Sequence, residues 1–132
     1  MPGRISTFFL LLVITQGLHS IEEYYGRLWE VLAPARFLCS LVSSNLETGF
    51  LVINWGLFVV GLGCWFLSTR RISISVGGLF WFWVLIEAIN GIGHPVWAIY
   101  AKAYVPGLIT APLLLFLSIY LAWQLWALHA RL

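Results

Sequence analysis

A chain of 132 residues that is 61% hydrophobic, 17% aromatic and only 9% charged departs far from a soluble domain, where about a quarter of the residues are charged. A formal net charge of +2, with the basic residues scattered, excludes the dense positive face that a nucleic-acid partner requires. The composition is that of an integral membrane protein.

Met1 to Arg4 makes a short basic start, and Phe8 to Ile14 is continuously apolar. The run resembles the core of a signal peptide, but Gln16, Gly17, Leu18 and His19 follow it instead of a small-x-small cleavage site, so it reads as a first span over residues 5–25. Over residues 26–45, Arg27, Glu30 and Arg36 interrupt apolar positions and Pro34 breaks any single helix, which predicts a short, partly helical interfacial connector. The second span covers residues 46–68, apolar apart from Glu47, Thr48 and Asn54, with Gly56, Gly61 and Gly63 leaving room for another helix. Thr69, Arg70 and Arg71 form a basic turn. The third span, 72–94, carries Glu87, Asn90 and His94 in its second half, and Pro95 is expected to end or kink it. Pro106 suits the first turn of a fourth span over 106–128. The expected fold is all-α: one transmembrane domain, a four-helix bundle with an interfacial connector. Arg4, Arg70, Arg71 and Arg131 fall on one side and Arg27, Arg36 and Lys102 on the other, which puts both termini of a multi-pass cell-membrane protein in the cytoplasm. Cys39 and Cys64, assigned to a loop and a span, read as unbridged.

The five acidic residues are all Glu, and two of them are adjacent near the end of the first span. His19, Glu22 and Glu23 stand at i, i+3 and i+4 of a helix, so all three project from one side of it. An ionisable group at membrane depth costs roughly 2.5 to 3.5 kcal/mol on insertion scales, so its presence points to function. Glu87, Asn90 and His94 share a face in the same way, at i, i+3 and i+7. At about 1.5 Å of rise per residue, His19, Asn54 and Glu87 fall roughly 20 to 23 Å, Glu23 and Asn90 roughly 26 to 27 Å, and His94 roughly 33 Å from the cytoplasmic edge. That spacing predicts one polar layer in the outer half of the bilayer. A lone polar residue in a span is usually a pin between helices, but several ionisable groups converging at one depth exceed what pinning needs.

His19-x-x-Glu22-Glu23, Asn90-x-x-x-His94 and Tyr104-x-Pro106-Gly107, in that order, resemble the three signatures of the HXXEE-domain membrane proteins. The resemblance covers nearly the whole chain. It suggests an enzyme and carries no assigned chemistry with it; Glu87 and Asn54 come from depth and facing alone.

Imidazoles with carboxylates at helical spacing are how helix bundles hold zinc or iron. His19, Glu22, Glu87 and His94 are the expected ligands of a divalent metal, with Glu23 as acid or base and Asn90 orienting a ligand or the substrate. His19, Glu22 and Glu23 form the catalytic motif. Asn54, Trp83 and Tyr104 complete the surroundings, Trp83 because it stands at i−4 from Glu87 and offers an aromatic face to an apolar substrate. The other Trp and Tyr residues suit the membrane interface. A lipid or isoprenoid-like substrate entering from the bilayer is the expected partner. The alternatives are a metal-free acid/base isomerase or cyclase, a proton-coupled carrier built as a homodimer, and a subunit that uses only the glycine faces.

Overall fold

The computed structural model describes residues 2–70 and 74–131, with backbone alone for residues 2 and 74–76. Arg71 and the expected start of the third span at Ile72 lie outside the described residues. The described residues are helical and include no strand. In chain order they form α1 (Pro2–Tyr25), α2 (Leu28–Val31), α3 (Ala33–Val42), α4 (Leu46–Arg70), α5 (Ile74–Ala101) and α6 (Ala111–His129). Four stretches, Gly3–Tyr25, Leu46–Arg70, Gly77–Ala101 and Ala111–His129, are long and apolar enough to cross a membrane. Their outward faces carry exposed Leu, Ile, Val, Phe and Trp, which in water would be an aggregation hazard.

The element ends follow local chemistry. α1 stops where Arg27 turns left-handed at φ 52°, and α5 stops in the same way at Lys102, φ 50°. Leu32 is extended between α2 and α3, and Pro34 then sits in the first turn of α3, where its missing N–H is harmless. Asn45 caps α4, its Oδ1 accepting from the Thr48 N–H at 3.0 Å.

Two boundaries correct the sequence reading. α5 runs through Pro95 to Ala101, losing only the bond that the proline nitrogen would donate to Gly91, a loss that membrane helices tolerate. α6 starts at Ala111 with Pro112 in its first turn, and Pro106 lies in the loop before it. The reason is Gly107, whose φ of +92° has no place in a right-handed helix.

α1 packs on α4 and α6, and α5 packs on α6. At the end that carries the N-terminus, Ser6 and Ser68 hydrogen-bond at 3.0 Å, below a core that includes Phe9, Leu12, Phe80, Trp83, Leu114 and Leu121. Trp83 fits there because Gly61 presents no side chain: a Cβ on Gly61 would meet the indole and Val13 at 2.9 Å. At the other end, α2 and α3 cover the start of α4 through a second cluster of Leu28, Trp29, Cys39 and Phe50. Cys39 is thus a buried residue of α3, not part of a loop, and burial with the nearby Glu23 charge pushes its thiol up. Both cysteines are free.

Candidate metal centre

The site is a continuation of the core by other means. Along α1 the buried positions Ile5, Phe9, Leu12, Gln16, His19 and Glu23 follow spacings of four and three, the stripe by which one helix faces its neighbours in a bundle. Its first half is apolar and its second half is polar. On α5 the stripe is Phe80, Val84, Glu87, Gly91 and His94, with Leu115 of α6 filling the space that Gly91 leaves.

α1 and α5 run parallel and meet in layers separated by a constant 71 positions. Phe9 stacks on Phe80 at 4.1 Å between ring centroids. Two turns higher, Gln16 meets Glu87; with the amide assigned so that its oxygen accepts from Ser20 and its nitrogen faces the carboxylate, it donates to both carboxylate oxygens, at 2.7 and 3.1 Å. Two turns higher again, Glu23 meets His94 at 3.2 Å. The single polar layer expected from the sequence is therefore two floors, about 10 Å apart. Counting depth from the start of each span put Glu87 beside His19, whereas the observed pairing of α1 with α5 puts it beside Gln16, three residues earlier on α1.

The upper floor brings three residues together. One carboxylate oxygen of Glu23, Oε1, lies 3.1 Å from His19 Nε2 and 3.2 Å from His94 Nε2. The imidazole planes are close to perpendicular, 85°, with centroids 4.7 Å apart. His19 is fully buried, and Glu23 and His94 are each 6% exposed. One ligand atom from each falls within 4.8 Å of the others, so the group can hold a metal ion. Among the described residues, the ion-pair partners of Glu23 are these two imidazoles. His19 Nε2 is near Glu23 but off the direction that a hydrogen bond needs, and His94 Nδ1 has no partner either. Buried polar atoms left this way call for an explanation.

Gly107 roofs the cluster. A Cβ there would stand 2.6 Å from His19 Cε1 and 2.7 Å from His94 Cε1, so the loop between α5 and α6 lies directly on both rings. Gly26 gives Pro106 its place next to it, since a Cβ at residue 26 would collide with the proline ring.

Glu22 does not join the imidazoles. It faces the α5–α6 loop, where Oε2 accepts from the Tyr104 hydroxyl at 2.6 Å and the Ile109 N–H at 3.0 Å, and Oε1 accepts from the Thr110 N–H at 2.9 Å and the Thr110 hydroxyl at 2.8 Å. It thereby satisfies amides before the first turn of α6. Burial and the bond to Glu22 push the Tyr104 hydroxyl up to about 12, so it stays a donor. Thr110 also touches His19, with its Oγ1 2.6 Å from Nδ1.

Of the expected ligands His19, Glu22, Glu87 and His94, the structure unites the two histidines and sets Glu23 between them. The physical reason is facing: residues 22 and 23 are about 100° apart around α1, and the stripe that meets α5 contains 23. Glu87 is on the lower floor, where Asn90 Nδ2 also donates to it at 3.2 Å. Asn54 accepts from Ser20 at 2.7 Å, tying α4 to α1, and Trp83 stands in the apolar core rather than lining a pocket. Gln16 and Thr110 were missed by sequence reasoning. The four-three stripe counted up from Ile5 would have found Gln16; Thr110 carries no signal beyond its nearness to Gly107.

Residues 8–121 match a family model described as a protein of unknown function with HXXEE motif. No curated protein and no solved structure matches the chain.

Proposed function

The chain belongs to the HXXEE family, and from that premise we propose that it is a membrane-embedded enzyme in which His19, Glu23 and His94 bind one divalent ion, zinc or iron, to act on a lipid or isoprenoid-like substrate. The observation that carries the reading is the buried His/Glu/His group itself: three donor atoms from two helices within 4.8 Å, two ring nitrogens without partners, and no other cation paired with the carboxylate among the described residues. Two imidazoles and one carboxylate form the donor set of catalytic zinc hydrolases and of non-haem iron oxygenases, which leave positions open for water or substrate. Such an ion would supply Lewis acidity or an activated water.

Support for an apolar substrate comes from a groove of about 550 Å³ between α1 and α4, walled by Leu18, Ile21, Phe50, Trp55 and Phe58, with Ser20 and Asn54 as polar points; His19, Glu23 and His94 do not line it, so it offers a place for the apolar part of a substrate and not for the reacting group. Its volume lies in the range of small-molecule sites, about 300 to 1,000 Å³. The basic residues favour cytoplasmic termini, with the site toward the outer leaflet.

The test is the metal content of protein purified without chelator. About one ion per chain is expected in the wild type, with loss in Glu23→Gln and His94→Asn. A wild type that holds no ion and takes up neither Zn²⁺ nor Fe²⁺ would overturn the metal reading. The metal-free acid/base reading would then take its place, favoured by the one Glu23 oxygen that both imidazoles approach.

A further inference from the structure

We propose that Glu22 acts on the metal centre through Thr110, by deciding which nitrogen of His19 carries the hydrogen. The two glutamates of the HxxEE motif then have separate duties, Glu23 as ligand and Glu22 as the positioning group that sets the ligand's tautomer. This inference rests on the reading of His19, Glu23 and His94 as a metal site.

The argument is a count of hydrogens. The Thr110 hydroxyl has one, and it lies 2.8 Å from Glu22 Oε1, 3.3 Å from the Gly107 carbonyl and 2.6 Å from His19 Nδ1. Glu22 already receives the Tyr104 hydroxyl and the N–H groups of Ile109 and Thr110, so its carboxylate acts as an acceptor throughout. The carbonyl of Gly107 is an acceptor only. The threonine hydrogen therefore goes to Glu22, where a charged acceptor makes the stronger bond. The short contact to His19 is then satisfied only if Nδ1 bears a hydrogen and donates it to Thr110 Oγ1.

With Nδ1 committed, Nε2 is the nitrogen left to bind. That atom is the one that stands 3.1 Å from Glu23 and makes no hydrogen bond. Nε2 then offers a lone pair beside a carboxylate oxygen, two acceptors that a metal ion or a proton has to reconcile, and the Glu22–Thr110–His19 chain fixes Nε2 as the nitrogen that is free to bind it. Orienting partners of this kind typically change metal affinity 10- to 100-fold when removed. His94 has no equivalent, since its Nδ1 is unpartnered.

The experiment measures Zn²⁺ affinity by chelator competition in detergent, together with the ¹⁵N shift of the His19 ring in metal-free protein, assigned by its loss in His19→Asn. Thr110→Val, which keeps the shape and removes the hydroxyl, should weaken Zn²⁺ binding about 10- to 100-fold and move the His19 signal away from the Nδ1–H form. Thr110→Ser should restore both. Tyr104→Phe, which loosens the same loop but leaves the Thr110 hydrogen in place, should lower stability and leave the ¹⁵N pattern unchanged. Wild-type affinity together with an unchanged ¹⁵N pattern in Thr110→Val would overturn the proposal. Failure of the wild type itself to bind Zn²⁺ would remove the metal reading, while the ¹⁵N comparison would still decide whether Thr110 sets the tautomer.

Discussion

Gly107→Ala puts the roof of the site to a quantitative test. A side chain at φ +92° pays for a left-handed backbone with about 1–2 kcal/mol. The new methyl would also stand 2.6 to 2.8 Å from atoms of His19 and His94, closer than Cβ atoms are found to packed neighbours. Overpacking of this kind adds about 1–3 kcal/mol. The sum, about 2–5 kcal/mol, corresponds to roughly 8–20 °C in melting temperature at about 4 °C per kcal/mol. Since the clash is with the two imidazoles, metal affinity should fall along with stability. The assay is thermal unfolding in detergent with and without Zn²⁺, with Gly56→Ala as control. Gly56 is a helical glycine with nothing within 4 Å of an added Cβ, so alanine there should be neutral or stabilise by up to about 1 kcal/mol. If Gly107→Ala melts with the wild type and binds Zn²⁺ equally well, the close packing of the loop on the imidazoles is refuted.

Gln16→Leu should destabilise the chain by about 1–3 kcal/mol, because the buried Glu87 loses both amide hydrogens from α1 and keeps only Asn90; unfolding of the double variant Gln16→Leu/Glu87→Leu, which should recover much of that loss, checks the pairing. Gly61→Val should cost about 1–3 kcal/mol through collision with Trp83 and Val13, whereas Gly63→Ala, with open space around it, should melt with the wild type. Cysteines placed at Ser44 and Lys102 should react with an impermeant reagent from the same side of the membrane, and from outside if the termini are cytoplasmic; labelling of the two from opposite sides would break the four-span arrangement.

Four apolar helices were legible in the sequence because hydropathy over some twenty residues is a strong signal, and a backbone in lipid has few alternatives to a helix. The helix ends were less legible. Pro95 looks like a stop or a kink, and the helix does not stop there; Pro106 looks like a start, yet Gly107 delays α6 to Ala111. His19, Glu23 and His94 could be singled out as chemistry from their type and spacing. Which of Glu22 and Glu23 meets His94 was not legible, since both lie within reach of His19 and the choice depends on where α5 stands beside α1. Thr110 was invisible for a similar reason: its role comes from a loop fold that brings it to residues about 90 positions earlier in the chain.

The parallel course of α1 and α5 has a topological consequence. A hairpin joins antiparallel neighbours only, so two helices that rise side by side need a third to carry the chain back between them. α4 places none of its residues among the three ligand atoms, yet without its passage His94 would arrive at the wrong end of the bundle. During membrane insertion His19 and Glu23 therefore wait through a full descent and a second ascent before their partner exists, and the roof at Gly107 and Thr110 closes only after that. No fragment that ends before His94 contains the three ligands, and none that ends before Thr110 contains the complete roof, however well its helices insert.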